Sequence, residues 1–166
     1  MENASATFIR IMKHPVKFRL FLLLKLPSAY FSGVRIKEVS EKKCEVTVPY
    51  KWFSKNPFRS TYFACLSMAA EMSTGALSLL HLYKRIPAVS MLVIRVESDY
   101  YKKATGKTIF LCEEGDQIRQ AIELAVVSGE AQVLKVRSIG RNEAGEKIAE
   151  FFITWSFKVK NYINKK

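Results

Sequence analysis

Histidine and cysteine are scarce in this 166-residue sequence, and neither is arranged for metal chemistry. His14 and His81 stand alone, while Cys44, Cys65 and Cys112 are odd in number, far apart and set among apolar residues. That pattern argues against a disulfide framework or a Cys/His zinc site, and for buried free thiols in a reducing cytosol. With 7 Gly and 5 Pro, collagen-like and Pro-rich low-complexity readings are excluded. No Gly-rich phosphate loop or Walker-like stretch occurs. The N-terminus lacks the basic-then-apolar order of a signal peptide, and the apolar run Leu20 to Leu24 is cut by Lys25, far short of a membrane span. A soluble, cytoplasmic protein is expected.

Carboxylates are also few. Against 27 Lys and Arg there are 15 Asp and Glu, a net charge of +12, and residues 1–60 hold 12 of those cations but only 4 of the acids. The imbalance favours an anionic partner without choosing one. Basic and aromatic residues alternate at Lys51-Trp52-Phe53 and Tyr100-Tyr101-Lys102-Lys103, yet no nucleic-acid motif accompanies them, and no nucleic-acid partner is expected.

What is present is apolar periodicity. Residues 8–31 carry Phe8, Ile11, Met12, Val16, Leu20, Leu23 and Leu24 at helical spacing, divided by Pro15 and Pro27. The segment is basic as well, so it reads either as helices packing an apolar side on the domain or as a membrane-surface helix. Residues 34–39 and 44–48 alternate as strands. Residues 52–60 form a loop around Asn56-Pro57. Residues 61–83 make one long helix, apolar nearly all round, that belongs inside a core. Strands follow at 89–102, 107–112, 132–138 and 147–159, with a short helix over 116–128 closed by Gly129. The order implies a single α+β domain over residues 1–166, in which a curved antiparallel sheet wraps the 61–83 helix.

That central helix has one polar stripe. Ser67, Glu71, Thr74 and Ser78 are four, three and four residues apart and share a face. Glu71 is the one carboxylate between Arg59 and Lys84. Burying it requires a cationic partner, a subunit interface or a protonated state, so it reads either as a structural ion pair or as the reactive group of a site.

The run Asn56-Pro57-Phe58 through Thr61-Tyr62-Phe63-Ala64 to Glu71 resembles the Asn…His-Gly-Gly…Asp/Glu motif of phenylacetyl-CoA-type hotdog thioesterases. With the Phe18-Arg19-Leu20-Phe21 to Leu26-Pro27 helix, the inserted helix and the Trp155 strand, the chain resembles more closely the hotdog family DUF4442. The resemblance implies a hotdog fold and activity on acyl-CoA or a related acyl thioester. Glu71 then corresponds to the nucleophile or general base and Asn56 to the residue that positions thioester or water. Backbone N–H groups of Phe63 and Ala64 would form the oxyanion site. Tyr62, Ser67 and Thr74 would line the substrate, and Lys102 and Lys103 would meet coenzyme A phosphates. Tyr62 stands where the motif has His, and Phe63-Ala64 where it has Gly-Gly. No cofactor or metal is implied beyond the coenzyme A thioester itself. The family's sites form between subunits, which implies a homodimer or a dimer of dimers, as does the apolarity of the 61–83 helix. A non-catalytic acyl-binding module, docking its basic N-terminal helix on a membrane or an acyl carrier protein, is the alternative.

Overall fold

Proline sets the N-terminal helices apart in the computed structural model, which describes residues 4–160. Helices α1 (Ala4–Lys13), α2 (Pro15–Lys25) and α3 (Pro27–Ser32) are separate, and Pro15 and Pro27 each open a helix, where a missing N–H costs no hydrogen bond. His14 caps α2, its Nδ1 accepting from the Lys17 amide at 3.3 Å.

The apolar stripe divides here: Met12 of α1 is buried, as packing on the domain requires, and the α2 part is not. The spacing of Val16, Leu20, Leu23 and Leu24 places them on one side of α2, but that side faces outward. Phe18 and Leu22 are the residues turned into the core. The helix is apolar on both sides, so periodicity defines the stripes without choosing which is buried.

Six strands among the described residues form one antiparallel sheet: β1 (Arg35–Val39), β2 (Cys44–Val48), β3 (Val89–Tyr100), β4 (Thr108–Cys112), β5 (Gln132–Asn142) and β6 (Lys147–Val159), in the order β1-β2-β4-β5-β6-β3. The sheet curves around α4 (Phe63–Leu82), which packs on β2, β4, β5 and β6. Helices α1, α3 and α5 (Gly115–Ser128) cover other parts of α4. Twelve of the twenty α4 residues are buried, and its large exposed apolar side chains are Phe63 and Leu79. Although α4 is long and apolar enough to cross a membrane, its surroundings are protein.

Along β6, Ala149, Phe151, Ile153, Trp155 and Phe157 are buried on one face, Val159 at its end is half-buried, and Ile148, Glu150 and Thr154 of the other face are buried as well. Phe151 meets Phe110 of β4 edge-on at 5.6 Å. In α5, Ile118, Ile122 and Ala125 face the core, and Gly129 caps the helix with φ 72°, a left-handed value that favours glycine. All three cysteines are free and buried; burial pushes the Cys112 thiol up to about 12.

Boundaries shift where tertiary contacts outweigh local pattern. α4 begins at Phe63 because the Thr61 amide and hydroxyl both donate to the Ala104 carbonyl, at 2.7 and 3.1 Å. β5 runs on to Asn142 because β4 pairs with it there. β3 stops at Tyr100, and a short 3-10 turn, Trp52–Ser54, interrupts the expected loop.

Candidate active site

The polar stripe of α4 separates into two kinds of residue. Thr74 and Ser78 are fully buried and committed to structure. The Thr74 hydroxyl donates to the Glu71 carbonyl at 3.0 Å and accepts from Trp155 Nε1 at 3.0 Å, while Ser78 donates to the Thr74 carbonyl at 2.9 Å. Ser67 and Glu71 are only partly buried.

Glu71 opens into an apolar cavity of about 310 Å³. Met72, Gly75, Ala76 and Leu79 of α4 form one wall, and Phe8, Met12, Phe18 and Leu22 of α1 and α2 form another. No cation or hydrogen-bond donor among the described residues reaches the carboxylate, so the structural ion pair is not made here. Desolvation pushes its pKa above the usual carboxylate range. Such a group is a stronger base than an exposed glutamate, and each protonation state is accessible closer to neutral pH.

The other proposed site residues gather elsewhere. A second cavity of about 610 Å³ at the N-terminus of α4 is lined by Asn56, Tyr62, Phe63, Lys102 and Lys103. Asn56 holds its own loop: its Oδ1 accepts from the Phe58 amide (3.0 Å), the Ser60 amide (3.2 Å) and the Ser60 hydroxyl (3.2 Å), the local turn that asparagine favours. Tyr62 is half-exposed, packs edge-on against Phe63 at 4.9 Å, and has its amide bonded to the Ser54 carbonyl. The Phe63 and Ala64 amides, the first of α4, have no acceptor among the described residues. Phe63 lines the cavity; Ala64 does not. Lys102 pairs with Glu146, whereas Lys103 is exposed without an ion pair among the described residues. The cavity rim is pinned by Glu150, which accepts from Tyr101 Oη (3.1 Å), Lys147 Nζ (2.6 Å) and Arg137 Nε.

Glu71 lies eight residues beyond Phe63, roughly 12 Å along the helix axis. Within one chain, therefore, it does not share a cavity with Asn56.

Three residues that line the Glu71 cavity escaped the sequence. Gly75, one turn beyond Glu71, gives the carboxylate its room. Phe18 and Leu22, four apart, wall the Glu71 cavity, a signal masked by the stronger outward stripe. Outside both cavities, the buried hydroxyl pair Ser73–Ser138, 2.7 Å apart, is structural and had no signal in sequence, since the residues meet only when α4 packs on β5.

The pattern of a domain of unknown function, DUF4442, matches residues 17–157. The chain belongs to the DUF4442 family. No curated protein sequence matches it. Among solved structures, a Pseudomonas aeruginosa protein described as a probable thioesterase superposes with a TM-score of 0.75 at 20% identity, covering 90% of this chain and 99% of that one. A Chlorobaculum tepidum protein of unknown function gives 0.75 at 18% identity, covering 96% and 100%. A Haemophilus influenzae thioesterase gives 0.63 at 16% identity, covering 88% and 91%. This DUF4442 chain thus has the hotdog fold of thioesterase-family proteins.

Proposed function

We propose that this DUF4442 protein hydrolyses acyl-CoA or a related acyl thioester, with Glu71 as its general base. The observation that carries the proposal is a carboxylate without a counter-charge among the described residues, held at the wall of an apolar cavity that suits an acyl group. A carboxylate in such a setting is retained at a cost in stability, which chemistry would justify. In the reaction, Glu71 takes a proton from water as the water oxygen attacks the thioester carbon. The carbonyl electrons move onto oxygen, where the Phe63 and Ala64 amides would receive the charge. Collapse breaks the C–S bond, and the leaving thiolate takes up the proton that Glu71 removed from water, which returns Glu71 to its carboxylate.

For those amides and Glu71 to act on one carbonyl, the two cavities must come from different subunits. An edge position supports a homodimer: β3 ends the sheet and exposes Leu92, Ile94 and Val96. Lys103 would meet phosphate, and the free thiols suit a cytoplasmic setting.

A binding-only reading draws on one observation as well. Tyr62-Phe63-Ala64 replaces His-Gly-Gly, and the Asn56 carbonyl is already occupied by its own loop. Thiol release from a panel of acyl-CoA thioesters decides between them. Turnover that falls about a hundredfold or more in Glu71→Gln, with acyl-CoA binding kept, supports hydrolysis. Binding without turnover in the unaltered protein leaves the module that only holds its ligand.

A further inference from the structure

The outer side of α2 has no role in the domain's own packing. Val16, Leu20 and Leu24 are 68%, 53% and 68% exposed, a solvated apolar stripe on a helix whose other side already fills the core. The stripe continues into α3 and the 3-10 turn. The Arg19 guanidinium lies 3.9 Å over the Tyr30 ring, Tyr30 touches Phe31, Phe31 stacks on Phe53 at 5.4 Å, and Phe53 meets Trp52 edge-on. Trp52 is 72% exposed. Contiguous exposure on this scale marks a surface that meets something apolar.

Charge identifies what it meets. Residues 13–32 and 51–55, the helices and the turn of this face, contain six Lys and Arg and no Asp or Glu. Lys13, Lys17 and Lys25 flank the stripe without ion pairs among the described residues. Between α2 and α3 runs a shallow groove of about 340 Å³, lined by Pro15, Val16, Arg19, Leu20, Leu23 and Tyr30. Leucines for acyl chains, Trp and Phe for the headgroup boundary, and a cationic border are the attributes of a helix lying in a membrane interface.

We infer that this face docks on an anionic lipid bilayer. Val16, Leu20, Leu24 and Trp52 enter the headgroup–acyl boundary, while Lys13, Lys17 and Lys25 meet lipid phosphates. Docking is independent of any reaction at Glu71, and it would place the Glu71 cavity just behind α2, since Phe18 and Leu22 on that helix's inner side wall it.

Sedimentation of the full chain with vesicles tests this, using phosphatidylcholine alone and phosphatidylcholine mixed with phosphatidylglycerol. The expected result is partition into the mixed vesicles that weakens as salt is added, and a blue shift of Trp52 emission; Trp155, 3% exposed, stays silent. The double change Leu20→Asp, Leu24→Asp, at solvated positions, should keep the melting temperature and weaken partition by about tenfold or more. Should that variant fail to fold, Lys13→Glu with Lys17→Glu and Lys25→Glu makes the same test through charge. Failure of the unaltered protein to bind anionic vesicles overturns the inference. So does binding unchanged by both variants, or a concentration-dependent dimer that the leucine changes dissociate in place of vesicle binding.

Discussion

Glu71 and Gly75 are coupled by space: a Cβ on residue 75 would lie 3.0 Å from the Glu71 Oε1 and 3.4 Å from Trp155 Cζ2. The carboxylate occupies room that any other residue at 75 would take.

Gly75→Ala is therefore expected to leave the fold intact and move the carboxylate. Alanine gains about 1 kcal/mol of helix propensity over glycine, which offsets the crowding at Trp155, so the melting temperature should change little. Thioester turnover should fall by roughly tenfold, because a displaced base misses its geometry. Turnover equal to the unaltered protein, in a preparation where Glu71→Gln is inactive, would show that the carboxylate position is not constrained by Gly75.

Glu71→Gln should raise stability at neutral pH and not at acid pH. The folded pKa of Glu71 is raised by desolvation, so its charge opposes folding above the unfolded value of about 4.3 and is absent below it. The melting temperature of the variant should exceed that of the unaltered protein at pH 7 to 8 and converge with it near pH 4. A variant less stable at pH 7 would mean that the charge has a partner.

Thr74→Val keeps the shape and strands the Trp155 indole N–H, which is buried against α4. The loss should be about 1–3 kcal/mol by denaturant unfolding, with Thr74→Ser recovering much of it. An undiminished midpoint for the valine variant would remove Thr74 as the tie between α4 and β6.

Acid sensitivity should come in part from Glu150. Its hydrogen bond with Lys147, and those with Arg137 and Tyr101, hold its pKa down to about 2. The stability it contributes is complete above the unfolded value of about 4.3 and disappears as pH falls through about 2. Glu150→Gln should melt lower at pH 7, and the gap should close between pH 4 and 2. A constant gap across that range would assign the effect to packing.

The sequence by itself determined the element order and the identity of the central helix. Alternation placed β6, helical spacing with Gly129 placed α5, and two prolines divided the N-terminal helices. The lone carboxylate on an apolar helix marked Glu71 as exceptional. Each of these signals is local: it arises from a backbone period of two or 3.6 residues, or from a missing N–H. Which side of α2 is buried could not be read that way, because both sides are apolar and only the position of α4 selects Phe18 and Leu22. Thr74 read as a substrate contact, yet Trp155, 81 residues away, reaches it through the closure of β6 over α4. Asn56 was visible as a loop residue, but that its carbonyl turns back onto Ser60 depends on how the loop closes. Periodicity reports which residues share a face; only packing decides what that face meets.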